Sequence, residues 1–208
     1  MNLVRALFLL LACATAVSVQ AFRSTDFESF TDPDFVGYRP ARVIVVVEGA
    51  DFQLSREIEK RFIDELRERG VEGFPAMEIF PPTRPIESYN VLDELAKRMI
   101  DSALVVSSGE RASNVTQFGA QTNTTVNVYG NQATASSSTT PMISASSRAE
   151  FTASLLAFGP DASSRTAWFA QVLVKASGTF FVGNNKSDAK GAVRGILQGL
   201  IKDGHLPE

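Results

Sequence analysis

Five β-branched apolar residues, Val43 to Val47, lead into the polar turn Glu48-Gly49-Ala50-Asp51. Beyond it the apolar residues Leu54, Ile58, Phe62 and Leu66 recur every fourth position, with Ile63 beside them. The run predicts a strand and the spacing an amphipathic helix docked on a sheet. Arg56, Glu57, Glu59, Lys60, Arg61, Asp64 and Glu65 fall on the other faces, where they read as solvated. Asp51 or Ser55 supplies the helix cap, and Gly70 the stop.

The pattern continues with a second strand within Val71–Phe80, which Pro75 confines to an edge or a bulge. Pro81-Pro82-Thr83-Arg84-Pro85 then breaks the chain. A second helix is predicted from Glu87 to Asp101, with Val91, Leu92, Leu95 and Met99 on one side, followed by a buried strand at Ala103–Val106. The order β-α-β-α-β implies right-handed crossovers and an at least partly parallel sheet.

The character changes beyond Ser107. Residues 112–147 contain no charged side chain and are dominated by Ser, Thr, Asn, Gln and Gly. Tyr129-Gly130-Asn131 marks a turn, so the two halves form either a long polar hairpin or a low-complexity loop. Ala149, Phe151, Ala153 and Leu155 then alternate with polar residues, Gly159–Ser163 turns, and Thr166–Val174 returns, giving an antiparallel hairpin with one buried face. A last helix spans Ser187–Lys202 and Gly204 closes it. The expected fold is therefore α/β with α+β character: a mixed sheet, a long polar hairpin or loop, an antiparallel hairpin and a C-terminal helix. Residues 41–208 form one α/β domain carrying the insertion at 112–147.

Two segments precede that domain. In residues 22–40 the aromatics Phe22, Phe27, Phe30, Phe35 and Tyr38 follow neither a helical nor a strand period, which predicts a lead-in pinned to the domain. Residues 1–21 have a single charge, Arg5, an apolar run from Ala6 to Val17, and Val19-Gln20-Ala21 at the end. That is the three-part pattern of an export signal, with cleavage between Ala21 and Phe22. The apolar run is shorter than the roughly 20 residues that span a bilayer. The sole cysteine, Cys13, excludes an intramolecular disulfide. Leu10-Leu11-Ala12-Cys13 matches a lipobox, making Cys13 a candidate lipidation site; otherwise it is a small residue of the signal core.

Composition narrows the chemistry. The 208 residues carry a formal net charge of −3, with 44% apolar and 21% charged residues. No basic cluster provides a footprint for nucleic acid or an anionic membrane surface. The one histidine, His205, follows a helix-stopping glycine near the end and reads as an exposed tail residue. With no second cysteine, thiol chemistry and zinc are unsupported. No phosphate-binding glycine pattern follows the first strand, and Ser107-Ser108-Gly109 lacks a nucleophile-elbow frame. One constellation remains. Glu48, Asp51 and Glu110 fall at the predicted carboxyl edge of the strands, with Arg84 on a nearby loop, making a candidate ligand edge suited to a divalent cation. The competing reading is a helix cap with exposed loop acids. For the polar insertion, Asn, Gln, Ser and Thr fill most outward positions on either register, which points to an arm in water.

These elements together resemble a group of bacterial envelope proteins: the TolB N-terminal domain, the LpoB-type accessory lipoproteins and the periplasmic domain of CsgG. The matching features are the exported N-terminus, the strand–helix pair from Ala41 to Glu72 and the second helix leading into SALVVSSGE. The polar insertion, the late hairpin and the closing helix ending IKDGHLPE complete it. The turn Phe80-Pro81-Pro82-Thr83-Arg84 is similar to one in small uncharacterised lipoproteins. The resemblance implies a non-enzymatic, cofactor-free interaction domain, exported to the periplasm and acting as an accessory or assembly factor at the outer membrane. Its partner would be an envelope protein or a further copy held through 112–147. The alternatives are a CsgG-like oligomeric export channel and a small metal-dependent envelope enzyme.

Overall fold

The computed structural model describes residues 22–85, 89–129, 132–159, 163–178 and 185–208. Residues 1–21, including Cys13 and Ala21, lie outside them. The strands are β1 (Phe22–Thr31), β2 (Arg42–Glu48), β3 (Glu72–Pro75), β4 (Ser102–Tyr129), β5 (Gln132–Phe158) and β6 (Ser164–Gly178). The helices are α1 (Phe52–Glu68), the single turn α2 (Ala76–Ile79), α3 (Val91–Lys97) and α4 (Asn185–Lys202). One six-stranded sheet has the order β1-β6-β5-β4-β2-β3. β3, β2 and β4 are parallel; β4, β5, β6 and β1 follow antiparallel. The mixed α/β sheet matches the sequence pattern.

β2 explains its own composition. Val43 and Val45 join the larger core, beneath α1 and α4, with Phe62, Phe151, Leu155 and Trp168. Ile44 points to the other face and packs with Leu95, Ile100 and Ala103. A strand covered on both faces has no position for a polar side chain. Each fully buried large side chain in these clusters contributes about 1.5–3 kcal/mol relative to exposure, before ordering costs.

Several expectations change. Residues 22–31 are an edge strand. Thr25, Phe27, Ser29 and Thr31 are half-buried, whereas Ser24, Asp26, Glu28 and Phe30 are exposed. The period of two is real but is carried by small polar residues, so the aromatics hide it. The second helix is shorter than Glu87–Asp101. Asn90 caps it, Arg98 ends it, and Met99 takes a positive φ of 52°. Val91 and Leu95 face the core, but Leu92 and Met99 are exposed. Residues 86–88 lie outside the described residues, as do 130–131 and 160–162 in the predicted turns. Tyr129 nevertheless pairs with Gln132, and the Gly159 N–H donates to the Ser163 carbonyl at 2.8 Å. Arg148–Phe158 is not a separate strand; it is the lower half of β5.

His205 is the largest reversal. It is fully buried, not exposed. Its Nδ1 lies 2.8 Å from the Tyr38 carbonyl, which can only accept, so Nδ1 carries a hydrogen. Its Nε2 lies 3.2 Å from Thr31 Oγ1, and its ring meets Trp168 edge-on. The Trp168 indole N–H donates to Asp203 at 2.7 Å. Tyr38 in turn donates to Ser102 at 2.6 Å, and Ser102 donates to Asp101 at 2.7 Å. Burial pushes the Tyr38 phenol up from its ordinary value. Thr31 and Tyr38 are thus held to the residues that follow α4.

Helix α4 comes close to the sheet through Gly191, Gly195 and Gly199. An added Cβ at Gly195 would stand 2.6 Å from Val172 Cγ1 and 2.7 Å from Thr25 Cγ2; at Gly199 it would stand 2.7 Å from Trp168 Cζ2. Alanine favours a helix over glycine by about 1 kcal/mol. Overpacking of this contact outweighs that gain, so Gly195→Ala should destabilise the protein by about 1–3 kcal/mol in urea unfolding. A gain in stability would refute the close packing of α4 on β6 and β1.

Candidate interaction arm

Beyond the sheet, β4 and β5 continue as a two-stranded ribbon. β2 accompanies β4 only as far as the Glu48–Ser107 pair. Among the described residues, β6 reaches β5 only as far as the Gly178–Ala145 pair. From there to the Tyr129–Gln132 pair the described residues of the two strands pair only with each other. This decides between the hairpin and loop readings in favour of the hairpin. Arg111–Gln117, Ala120, Thr122, Thr124 and residues 136–139 are all exposed. The Thr122 and Thr139 hydroxyls lie 3.1 Å apart across the ribbon.

Two irregularities shape the arm. At its root, the register shifts between Ser108 and Arg111, where Gly109 and Glu110 oppose Glu150. A Cβ at Gly109 would press on the Glu150 carbonyl at 3.3 Å. Arg111 Nε then reaches Asp188 Oδ2 at 3.2 Å, and the Ser187 hydroxyl donates to the other carboxylate oxygen at 3.2 Å. Asp188 is buried in the first turn of α4, where the helix N-terminus also favours a negative charge. The arm is therefore tied to the core where it leaves it.

The second shift lies between Gln117 and Gly119 and changes the reading of the ribbon. Past it, Ala120, Thr122 and Thr124 pair with Pro141, Thr139 and Ser137; Val126 and Val128 follow with Ala135 and Ala133. The intervening pairs contain Gln121, Asn123 and Asn127. Successive register positions alternate along the ladder, so past the shift the even-numbered residues of β4 share one row of pairs and the odd-numbered residues the other. One extra residue moves the row from odd to even numbers along β4, which blurs the alternation when it is read through the strand.

The predicted ligand edge is closed. Asp51 caps α1, its Oδ1 accepting from the Leu54 N–H at 2.8 Å. Gly49 (φ +70°) abuts the strand: a Cβ there would meet the Ser108 carbonyl at 2.9 Å. The position where an open α/β sheet would form its crevice is taken by the backbone of β4 on its way to the arm. Glu48, Arg84 and Glu110 are exposed. Among the described residues no three His, Cys, Asp or Glu side chains gather to hold a metal, so Glu48, Asp51 and Glu110 are not brought together.

Glu59, assigned to the solvated face, is only 3% exposed. It lines a groove of about 810 Å³ between α1 and the segment 75–83, together with Phe52, Arg56, Met77 and Pro82. Its carboxylate accepts from the Met77 N–H at 3.4 Å, at the start of α2, which has no side-chain cap of its own. Burial pushes this carboxyl up to about 7; the Met77 bond opposes the shift and Glu78 adds to it. Its i, i+4 relation to Ser55 would have placed it beside the apolar stripe, but charge alone argued otherwise.

No family model and no curated protein matches the chain. Among solved structures, it is similar to the PelC dodecamer from Paraburkholderia phytofirmans with a TM-score of 0.46 and 10% identity, over 85% of this chain and 97% of that one. A point variant of the same dodecamer gives a TM-score of 0.45 and 12% identity, over 85% and 98%.

Two outcomes follow. Between the ordinary carboxyl value of 4.5 and about 7, the folded chain holds the Glu59 proton that the unfolded chain releases. The stability this supplies is complete below 4.5 and is lost as pH rises through 7, by up to about 3 kcal/mol. Glu59→Gln should flatten that slope in urea midpoints measured from pH 4 to 8; an unchanged slope would exclude Glu59 as its source. At the ligand edge, Asp51→Ala should cost about 1 kcal/mol as a lost cap. Glu48→Ala and Glu110→Ala should stay within about 0.5 kcal/mol. Millimolar calcium or magnesium should leave the melting temperature unchanged, and a rise abolished by Glu48→Ala would restore the metal reading.

Proposed function

We propose that this chain is a non-catalytic cell-envelope interaction domain, exported and acting as an accessory or assembly factor at the outer membrane, with the 112–147 arm as its contacting element. The carrying observation is that the arm occupies the sheet edge where a catalytic crevice would open, and projects from it with exposed, uncharged residues. A chain that fills this edge with its own strand has put its working surface on the projection.

The position of the N-terminus supports an envelope role. Phe22 pairs with Ser177, Ser177 with Ser146, and Ser146 with Asn114. Phe22 therefore stands level with the root of the arm. Among the described residues no helix is long and apolar enough to cross a membrane.

A photo-crosslinking side chain at Val115 or Ser137, both exposed, should capture a defined protein in intact cells, whereas one at Arg56 on α1 should not. Replacing 116–143, the part beyond the β6 pairing, by a short turn should abolish capture while leaving the domain folded. Absence of any adduct from the arm would remove this reading.

A further inference from the structure

We propose that the partner of the arm is a second copy of this chain, joined head to tail: the outer edge of β4 on one copy pairs antiparallel with the outer edge of β5 on the next. This rests on the arm being the contacting element and names what it contacts.

β4 loses its β2 neighbour after Ser107, and among the described residues β5 has no β6 neighbour before Ala145. In an antiparallel pair, residues whose N–H and C=O groups do not face the partner direct them outward. Both margins of the ribbon thus present rows of free donors and acceptors over most of its length. Such an edge is a template for another strand, and a ribbon of only two strands is marginally stable in water.

Natural sheets protect such edges with charges, prolines, bulges or short strands. Residues 112–147 contain no charge and one proline, Pro141. Beyond the shift at Gln117/Gly119, the register runs without a bulge from Gly119 to Tyr129. Identical arms carry no like charges to repel one another, so the usual obstacle to self-pairing is missing from the sequence.

The geometry selects the mode. The two free edges lie on opposite sides of one ribbon and belong to strands of opposite direction. Joining β4 of one copy to β5 of the next keeps the up-and-down order and leaves a further free edge at each end. A contact of this kind repeats until the array closes. β2 and β3 on one side, and β6 and β1 on the other, flank the root of each arm, so neighbouring domains cannot share one sheet plane. The bulge at Ser108/Arg111 lies where the ribbon must turn, and bulges increase local twist.

The test uses the purified full chain with one edge blocked at a time. Of two adjacent residues, one N–H faces outward, so Thr122→Pro or Asn123→Pro blocks the β4 edge alone, and Ser137→Pro or Ser138→Pro the β5 edge alone. Native mass spectrometry and sedimentation velocity should show the unaltered chain as an oligomer and each blocked variant alone as a monomer. Mixing a β4-blocked with a β5-blocked variant should give a one-to-one dimer. Circular dichroism confirms that the variants fold, and Thr122→Lys with Thr124→Lys, which removes no backbone hydrogen bond, should disperse the oligomer independently. A blocked variant that dimerises by itself would overturn head-to-tail pairing. A monomeric unaltered chain would overturn self-pairing, and arm crosslinks to a different protein would then show that the interaction reading survives without it.

Discussion

The ladder between β4 and β5 is the interaction on which the rest depends. At its base it joins the parallel half of the sheet to the antiparallel half, because β4 pairs with β2 on one side and β5 on the other. Farther out the same two strands make the arm without leaving their register partners, apart from the two shifts. Core and projection are therefore one continuous element. Whatever holds β4 and β5 in the core, including Leu104, Val106, Phe151 and Leu155, also aims the arm. The Arg111–Asp188 bridge adds a polar tie at the point of departure.

The opposite end of the sheet is closed by a different device. His205 stands between the Tyr38 carbonyl, the Thr31 hydroxyl and the Trp168 ring, and the Asp203 carboxylate takes the indole N–H. These contacts bring together the turn after β1, the middle of β6 and the residues following α4. An unmatched polar atom in such a place would cost about 1–3 kcal/mol, and here the donors and acceptors are matched. The single histidine of the chain is therefore structural cement.

Much of the fold was legible because it is local. The four-residue spacing of Leu54, Ile58, Phe62 and Leu66 can only be satisfied by a helix with one buried face, and Asp51 and Gly70 stand where such a helix starts and stops. Pro75 confined its strand to the edge that β3 occupies. The candidate site was legible only as a stretch. An uncharged segment between two arginines indicated a projection, but the register shift between Gln117 and Gly119 belongs to the ladder and leaves no mark in the sequence. β1 escaped notice because an edge strand with one half-buried face needs few apolar residues.

By itself, the sequence determined the periods, the breaks between elements and the absence of charge along the arm, since each is a property of neighbours along the chain. The tertiary structure alone decided that His205 and Glu59 are buried, because their environments come from Tyr38 and Met77, far away in sequence. It also decided that Glu48, Asp51 and Glu110 do not converge, because β4 passes through the space they would have shared. Which edges of the ribbon stay open depends on where β2 and β6 end, and strand ends opposite one another are a fact of assembly that no local pattern encodes.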